Sequence, residues 1–188
     1  YAQSANVGML DVVKALEWVN KNIEQFGGNP SDVTIVGESG GGGKVGTLMC
    51  MPAAQGLFQK AIIQSGTLPN VMTKEKSQAL GLAVLENLGL TPNDVKKLDT
   101  ISYMTLLKAG NDVTTKINGP RKFGTTMYGF APSVDSVVLL QQPFSPGFAD
   151  MSKDIPVMMG TTLNELMSVA YGEKDLTLEQ AKKRLAKE

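Results

Sequence analysis

The stretch VTIVGESGGGGKVGT, residues 33–47, constrains the fold of this chain more than any other. A run of β-forming residues passes directly into a glycine-rich turn that contains Ser39, and a helical pattern follows. Three kinds of site share this strand–turn–helix form: a phosphate-binding loop, a dinucleotide-binding turn, and a turn that presents a nucleophilic serine. The other residues of the chain decide among them.

The residues around Lys44 do not fit a phosphate-binding loop. That motif requires a glycine six positions before its lysine and a serine or threonine directly after it. This chain has Glu38 and Val45 at those two positions. A carboxylate inside an anion cradle would repel the phosphate, so this interpretation fails.

The dinucleotide-binding turn fits better but lacks its acidic partner. Gly41, Gly43 and Gly46 match the G-x-G-x-x-G pattern between a strand and a helix. An acidic residue about 20 positions further on should hold the ribose hydroxyls. Between Glu38 and Glu75 the chain has no aspartate or glutamate, and a run of four glycines matches the pattern by default. We therefore disfavour this site.

The composition gives no reason to expect a polyanionic partner. Lysine plus arginine and aspartate plus glutamate each total 18, so the net charge is zero and neither nucleic acid nor an anionic membrane is expected. No apolar run approaches the roughly 18 residues of a membrane span. The single cysteine, Cys50, rules out an internal disulfide. No signal peptide follows Tyr1, and secreted, periplasmic and cytoplasmic locations all stay open.

Strand-like and helix-like segments alternate along the chain. This order predicts an α/β fold with a mostly parallel sheet and helices on both faces. The predicted strands are residues 33–36, 61–63 and 155–159, and the predicted helices are residues 10–23, 44–51, 75–88, 94–109 and one opened by Thr177. Glycine at 27 and 28 should end the first helix, and Gln180 should complete a capping box with Thr177.

Residues 37–41 have the G-x-S-x-G form of a nucleophile elbow. In such a turn Ser39 occupies a strained backbone conformation, and the small glycines beside it leave room for the helix. The amide of Gly40 would then point to where a tetrahedral oxyanion forms. On these five residues alone, a tight packing turn with an incidental serine is an equally good interpretation.

The surroundings of the turn point to one family. The segment NVGMLDVVKALEWVNKNIEQFGGNPSDVTIVGESGGGGKV resembles, almost position by position, the nucleophile region of type B carboxylesterases and cholinesterase-like α/β-hydrolases. GLFQKAIIQSG, FAPSVDS and IPVMMGTTLNE are similar to three further segments of that family, and the resemblance runs from about residue 6 to residue 170. The branch it most resembles is the bacterial para-nitrobenzyl esterase type. The resemblance implies an α/β-hydrolase that cleaves small carboxylic esters through an acyl-enzyme, with neither metal nor cofactor.

The resemblance also implies a role for four residues. Ser39 matches the acyl-forming nucleophile, and Glu165 matches the acid that orients the histidine of a Ser-Glu-His triad. Gly40 stands where the family usually has alanine and would supply an oxyanion donor through its amide. Ser65 matches a serine that supports the acid by hydrogen bonding. A solvated loop carboxylate at Glu165 and an ordinary strand-end serine at Ser65 are the alternative interpretations.

Two departures from the family pattern matter. Ser136 replaces the glycine that follows the aspartate, here Asp135, which bears only on a turn geometry. More seriously, the chain contains no histidine and lacks the upstream His-Gly-Gly-Gly-type oxyanion loop. A serine hydroxyl needs a base to accept its proton. We therefore expect residues 1–188 to be an internal part of a carboxylesterase domain, without its upstream oxyanion-loop region and its downstream histidine region.

Two further expectations concern function and assembly. The rival function is a non-catalytic cholinesterase-like domain used for adhesion or binding, although such relatives often lose the nucleophile that Ser39 matches. We also expect the strand at residues 33–36 to have an open edge. Unpaired strand edges promote association, so self-association through this edge is expected if residues 1–188 are made alone.

Overall fold

The computed structural model describes residues 4–66, 70–119, 128–163, 165 and 177–185. In chain order its main elements are α1 (Val7–Asn22), β1 (Thr34–Glu38), α2 (Gly40–Leu48), β2 (Lys60–Gln64), α3 (Lys74–Asn87), α4 (Tyr103–Asn118), β3 (Val157–Gly160) and α5 (Leu178–Leu185). Short 3₁₀ helices lie at Ser4–Asn6, Ile23–Phe26, Pro52–Ala54, Pro92–Thr100 and Asp150–Ser152. None of the helices in these ranges is long and apolar enough to cross a membrane.

The three strands form a parallel sheet in the order β1-β2-β3. The sheet register aligns Glu38 with Gln64 and Gln64 with Gly160. Each of these residues is the last of its strand, so the segments that follow them start at the same edge of the sheet. The predicted parallel sheet with helices is confirmed.

One face of the sheet carries the main hydrophobic core. Alternate residues of a strand point to opposite faces, and on this face Ile35, Ala61 and Ile63 are buried. α2 packs directly against these strands, and α1 packs against α2 and contributes to the same core, because apolar residues recur on one side of each helix. The buried members that these two helices supply are Met9, Val13, Leu16, Val45 and Leu48.

The opposite face of the sheet carries an apolar row that is open among the described residues. Val36 pairs with Ile62, and Ile62 pairs with Met158, so the three side chains form a row across the strands. Val36 is 57% exposed and Met158 is 69% exposed. Helices that cover this second face stay a prediction.

Helix boundaries follow local chemistry that the hydrophobic pattern alone does not resolve. α1 ends at Asn22, earlier than predicted, and the predicted glycine cap closes the 3₁₀ helix Ile23–Phe26 that continues it: Gly27 has a left-handed φ of 82° and donates to the carbonyl of Glu24. The predicted helix at residues 94–109 is wrong. Thr91 and Asp94 form a capping box, but it opens a 3₁₀ helix over Pro92–Thr100. A new cap follows at Ser102, whose hydroxyl accepts from the Thr105 amide at 3.2 Å and starts α4.

The predicted start of one other helix shifts, and that of another is confirmed. α2 begins at Gly40 rather than at residue 44, because the glycine run adopts helical geometry immediately after Ser39. The last helix begins as predicted: the Thr177 hydroxyl accepts from the amide of Gln180, whose side chain in turn accepts from the amide of Thr177.

A buried polar contact joins the start of α1 to the segment before β3. The Asn6 side chain is buried; it donates to the Ser133 carbonyl at 2.8 Å and to Asp135 Oδ2 at 2.9 Å, and accepts from the Ser133 amide at 3.0 Å. Asp135 Oδ1 accepts from the amides of residues 137, 138 and 139. Ser136 has a φ of 62° inside this turn, which explains why glycine suits the position in the family pattern.

Three glycines bring the backbones of β1, α2 and the segment after β2 into contact. A Cβ added to Gly37 would overlap the carbonyl group of Gly41. One added to Gly42 would lie 2.8 Å from the Gly66 Cα, and one added to Gly66 would overlap the Ser39 carbonyl oxygen. The start of α2 therefore lies against the end of β2 with no side chain between them, and this contact determines where Ser39 stands.

The pair Gly42→Ala and Gly41→Ala tests this contact. In Gly42→Ala the new methyl meets backbone atoms that cannot move independently, so we expect a loss of about 2–3 kcal/mol in the free energy of unfolding. In Gly41→Ala the methyl meets nothing within 4 Å, and alanine favours a helix by up to about 1 kcal/mol. Denaturant unfolding of the full-length protein measures both. Equal effects of the two substitutions would contradict the close contact.

Candidate active site

Ser39 occupies a strained conformation at the corner between β1 and α2. Its φ is 53° and its ψ is −121°, a sparsely populated region for a residue with a side chain, which costs on the order of 1–3 kcal/mol. The surrounding backbone holds it there. The Ser39 amide donates to the Gln64 carbonyl at 2.9 Å, and the Ser39 carbonyl accepts from the Gly43 amide at 3.1 Å. This geometry is the one expected of a nucleophile elbow.

The Ser39 hydroxyl does not cap the helix that it precedes. A serine at this position commonly accepts a hydrogen bond from an amide in the first helical turn, yet Ser39 makes no such bond. Both Ser39 and Gly40 are exposed. The hydroxyl therefore stays available for chemistry, and so does the amide of Gly40, because the first amides of a helix have no partner within it. These amides carry the positive end of the helix dipole and suit an oxyanion.

Ser65 lies at the equivalent corner after β2. Its φ is 49°, and its amide donates to the Gly160 carbonyl at 2.8 Å. Ser39 and Ser65 thus follow adjacent strands at the same edge of the sheet, and each is tied through its amide to the neighbouring strand. The left-handed backbone of Ser65 turns the chain away from the sheet at this point.

Glu165 is held at this edge by hydrogen bonds from two residues. The Ser65 hydroxyl, the Thr162 amide at 3.0 Å and the Thr162 hydroxyl donate to its carboxylate. These hydrogen bonds, that of Ser65 first, lower the pKa of Glu165 below its usual value. The carboxylate therefore stays ionised at neutral pH, as an acid that orients an imidazolium must be. Ser65 thus contacts Glu165, the acid that it is expected to support from the family resemblance.

Sequence reasoning identified Ser39, Glu165, Gly40 and Ser65 but missed the contribution of Thr162. The signal was present, because Thr162 precedes Glu165 by three residues, the spacing at which a carboxylate reaches back to an amide. The structure places Ser39, Ser65 and Glu165 at one edge of the sheet and shows the contact between the latter two. Their catalytic roles stay predictions.

Two other kinds of reactive centre receive no support from the described residues. Burial raises the pKa of the Cys50 thiol to about 11, so at neutral pH it is protonated and a poor nucleophile. Within the described ranges, no group of three or more cysteine, aspartate or glutamate side chains lies close enough to hold a metal ion. The whole chain contains no histidine to act as a base.

The substitution Ser65→Ala tests how the carboxylate is held. Loss of the hydroxyl removes the largest cause of the lowered pKa, so we expect the pKa of Glu165 to rise toward its ordinary value. The sign follows because the hydrogen bond favours the ionised form. A carboxyl ¹³C NMR titration of the full-length protein measures the shift, with Ser31→Ala on an exposed turn as the control. An unchanged pKa in Ser65→Ala would exclude the hydrogen bond.

Comparisons with known proteins agree with this geometry. The sequence model described as "Carboxylesterase family" matches residues 2–187. The chain is 40% identical over 164 residues to the para-nitrobenzyl esterase of Bacillus subtilis (strain 168), an alignment that covers 87% of this chain and 32% of that protein.

Solved structures give the same result. An esterase of the anaerobe Clostridium hathewayi superposes with a TM-score of 0.77 at 37% identity, covering 100% of this chain and 37% of that one. A carboxylesterase of Geobacillus stearothermophilus gives a TM-score of 0.75 at 34% identity, covering 100% and 38%. The chain therefore spans about a third of the length of these relatives. It belongs to the carboxylesterase family.

Proposed function

We propose that this chain supplies the nucleophile and the acid of a serine carboxylic-ester hydrolase. The observation that carries the proposal is the state of Ser39: a strained serine at the end of a parallel strand, with its hydroxyl left uncapped at the start of a helix. Strain of this kind persists only where the surrounding structure enforces it. Membership of the carboxylesterase family supports the same function.

In the proposed mechanism Ser39 Oγ attacks the carbonyl carbon of the ester. A histidine accepts the hydroxyl proton, and the Gly40 amide donates to the oxyanion that forms on the carbonyl oxygen. The carbon–oxygen bond to the alcohol then breaks, the histidine returns the proton to the leaving alkoxide, and an acyl-Ser39 ester remains. Water, deprotonated by the same histidine, attacks the acyl carbon; the bond to Ser39 Oγ breaks, the histidine returns the proton to Oγ, and the acid is released.

Glu165 serves this mechanism by orienting and stabilising the imidazolium. Its carboxylate must remain ionised for that purpose, which the donors Ser65 and Thr162 favour. We propose that the histidine and the main oxyanion donors come from parts of the protein outside residues 1–188. The open apolar row of Val36, Ile62 and Met158 is consistent with further elements of the full-length protein that cover this face of the sheet.

The substrate class is a small carboxylic ester. The relatives are named for para-nitrobenzyl esters and, in the Clostridium protein, for aliphatic aromatic polyesters, so esters that contain an aromatic ring are a reasonable starting point. A non-catalytic binding domain is the rival function. It has no use for a strained, uncapped serine, and we therefore disfavour it. Self-association of residues 1–188 through the open sheet edge stays a prediction.

Hydrolysis of para-nitrophenyl acetate tests the function. We expect the full-length protein to hydrolyse this ester and Ser39→Ala to lose on the order of a millionfold in kcat, because no other group replaces the nucleophile. Ser31→Ala, on an exposed turn, should retain full activity. Residues 1–188 alone should show no hydrolysis that depends on Ser39, since they contain no histidine.

Two outcomes would overturn this account. Full activity of Ser39→Ala in the full-length protein would remove the assigned nucleophile. Turnover by residues 1–188 that disappears in Ser39→Ala would mean that another group in this segment acts as the base, and the proposed mechanism would have to be withdrawn.

A further inference from the structure

A cavity of about 770 Å³ lies beside the nucleophile helix. Its walls come from residues 4–9, from the start of α3, from residues 129–135 and from Lys44 of α2. Part of the wall is apolar, including Val7 and Phe130, which are 55% and 73% exposed. Lys74 of α3 lines the same cavity. The cavity therefore combines hydrocarbon surface with two cationic side chains.

Lys44 stands next to the proposed oxyanion donor. Its Nζ lies 3.5 Å from the carbonyl oxygen of Gly40, the residue directly after Ser39. A Cβ built on Gly40 would lie 3.9 Å from the same Nζ, so the lysine side chain folds back over Gly40. The ammonium group thus lies against the residue that directly follows the proposed nucleophile.

Among the described residues, neither Lys44 nor Lys74 has a carboxylate within 4 Å of its Nζ. Within the described residues, the carboxylates that lie within 4 Å of a lysine Nζ pair with Lys14, Lys60, Lys97, Lys108 and Lys182. The acidic residue that lines the cavity is Asp135, and its oxygens accept from three backbone amides and from Asn6. The described lining thus carries one net positive charge, and a cleft concentrates its effect on an entering ion.

We propose that this cavity, through Lys44 with Lys74, selects esters whose acyl chain ends in a carboxylate. This inference rests on the proposed function, because it places the anion in the cavity while the ester carbonyl lies at Ser39. The apolar wall contacts the methylene groups, and the ammonium of Lys44 pairs with the terminal carboxylate. A singly charged ester would be preferred over a neutral one of the same shape.

The preference is measured with two esters of matched shape in the full-length protein. One is 4-nitrophenyl hemisuccinate, and the other is 4-nitrophenyl 4-methylpentanoate, in which an isopropyl group replaces the carboxylate. We expect Lys44→Met to lower kcat/KM for the hemisuccinate about five- to tenfold and to change the neutral ester less than twofold. Lys44→Arg should keep the preference. Added salt should weaken the preference of the unmodified protein, because screening weakens exposed charge pairs.

Lys14→Met is the matched control, since Lys14 is an exposed lysine of α1 that lies outside the cavity lining; it should leave both esters unchanged. If Lys44→Met changes both esters by the same factor, or leaves the ratio of their kcat/KM values unchanged, the anion subsite is overturned. If instead neither ester is hydrolysed in a manner that Ser39→Ala abolishes, the proposed function itself fails. Hydrolysis of the neutral ester therefore distinguishes failure of the anion subsite from failure of the proposed function.

Discussion

The direct contact of backbones at Gly37, Gly42 and Gly66 is the constraint on which the candidate site depends. No side chain separates the start of α2 from the ends of β1 and β2. Because the helix begins this close to the sheet, the chain must reverse direction within one residue, and Ser39 is that residue. Its φ of 53° and ψ of −121° follow from the contact. The backbone strain is confined to Ser39, whereas the free energy that offsets it comes from the hydrophobic core beneath the corner.

The parallel sheet places further functional groups beside this corner. Because β1, β2 and β3 run in the same direction, their carboxyl ends deliver Ser39, Ser65 and the segment that carries Glu165 to one edge. The first amides of α2 also lie at this edge and have no partner within the helix, so the edge favours anionic groups. The Ser65 hydroxyl serves the acid and leaves the Ser39 hydroxyl free. Two serines with a similar positive φ thus have different chemical surroundings.

Sequence predicted the parts of this arrangement that depend on short-range patterns. The strand, the G-x-S-x-G turn and the helix that follows are contiguous, so their order alone indicated the corner at Ser39. The start of α4 was misplaced because two caps, at Thr91 and Ser102, lie only 11 residues apart, and a hydrophobic pattern does not say which one opens the longer helix. The pairing of Asn6 with Asp135 was also missed. It joins residues 129 positions apart, and no local pattern encodes such a contact.

Trapping of the nucleophile by an organophosphate tests the central claim most directly. Diethyl 4-nitrophenyl phosphate phosphorylates an activated serine and leaves ordinary serines unmodified, because attack on phosphorus requires the same base and oxyanion donors as attack on an ester. Peptide mass spectrometry of the treated full-length protein should find one diethylphosphoryl group per chain, on Ser39, with none on the Ser39→Ala variant. A label on a different residue, or loss of esterase activity with Ser39 unmodified, would contradict the account.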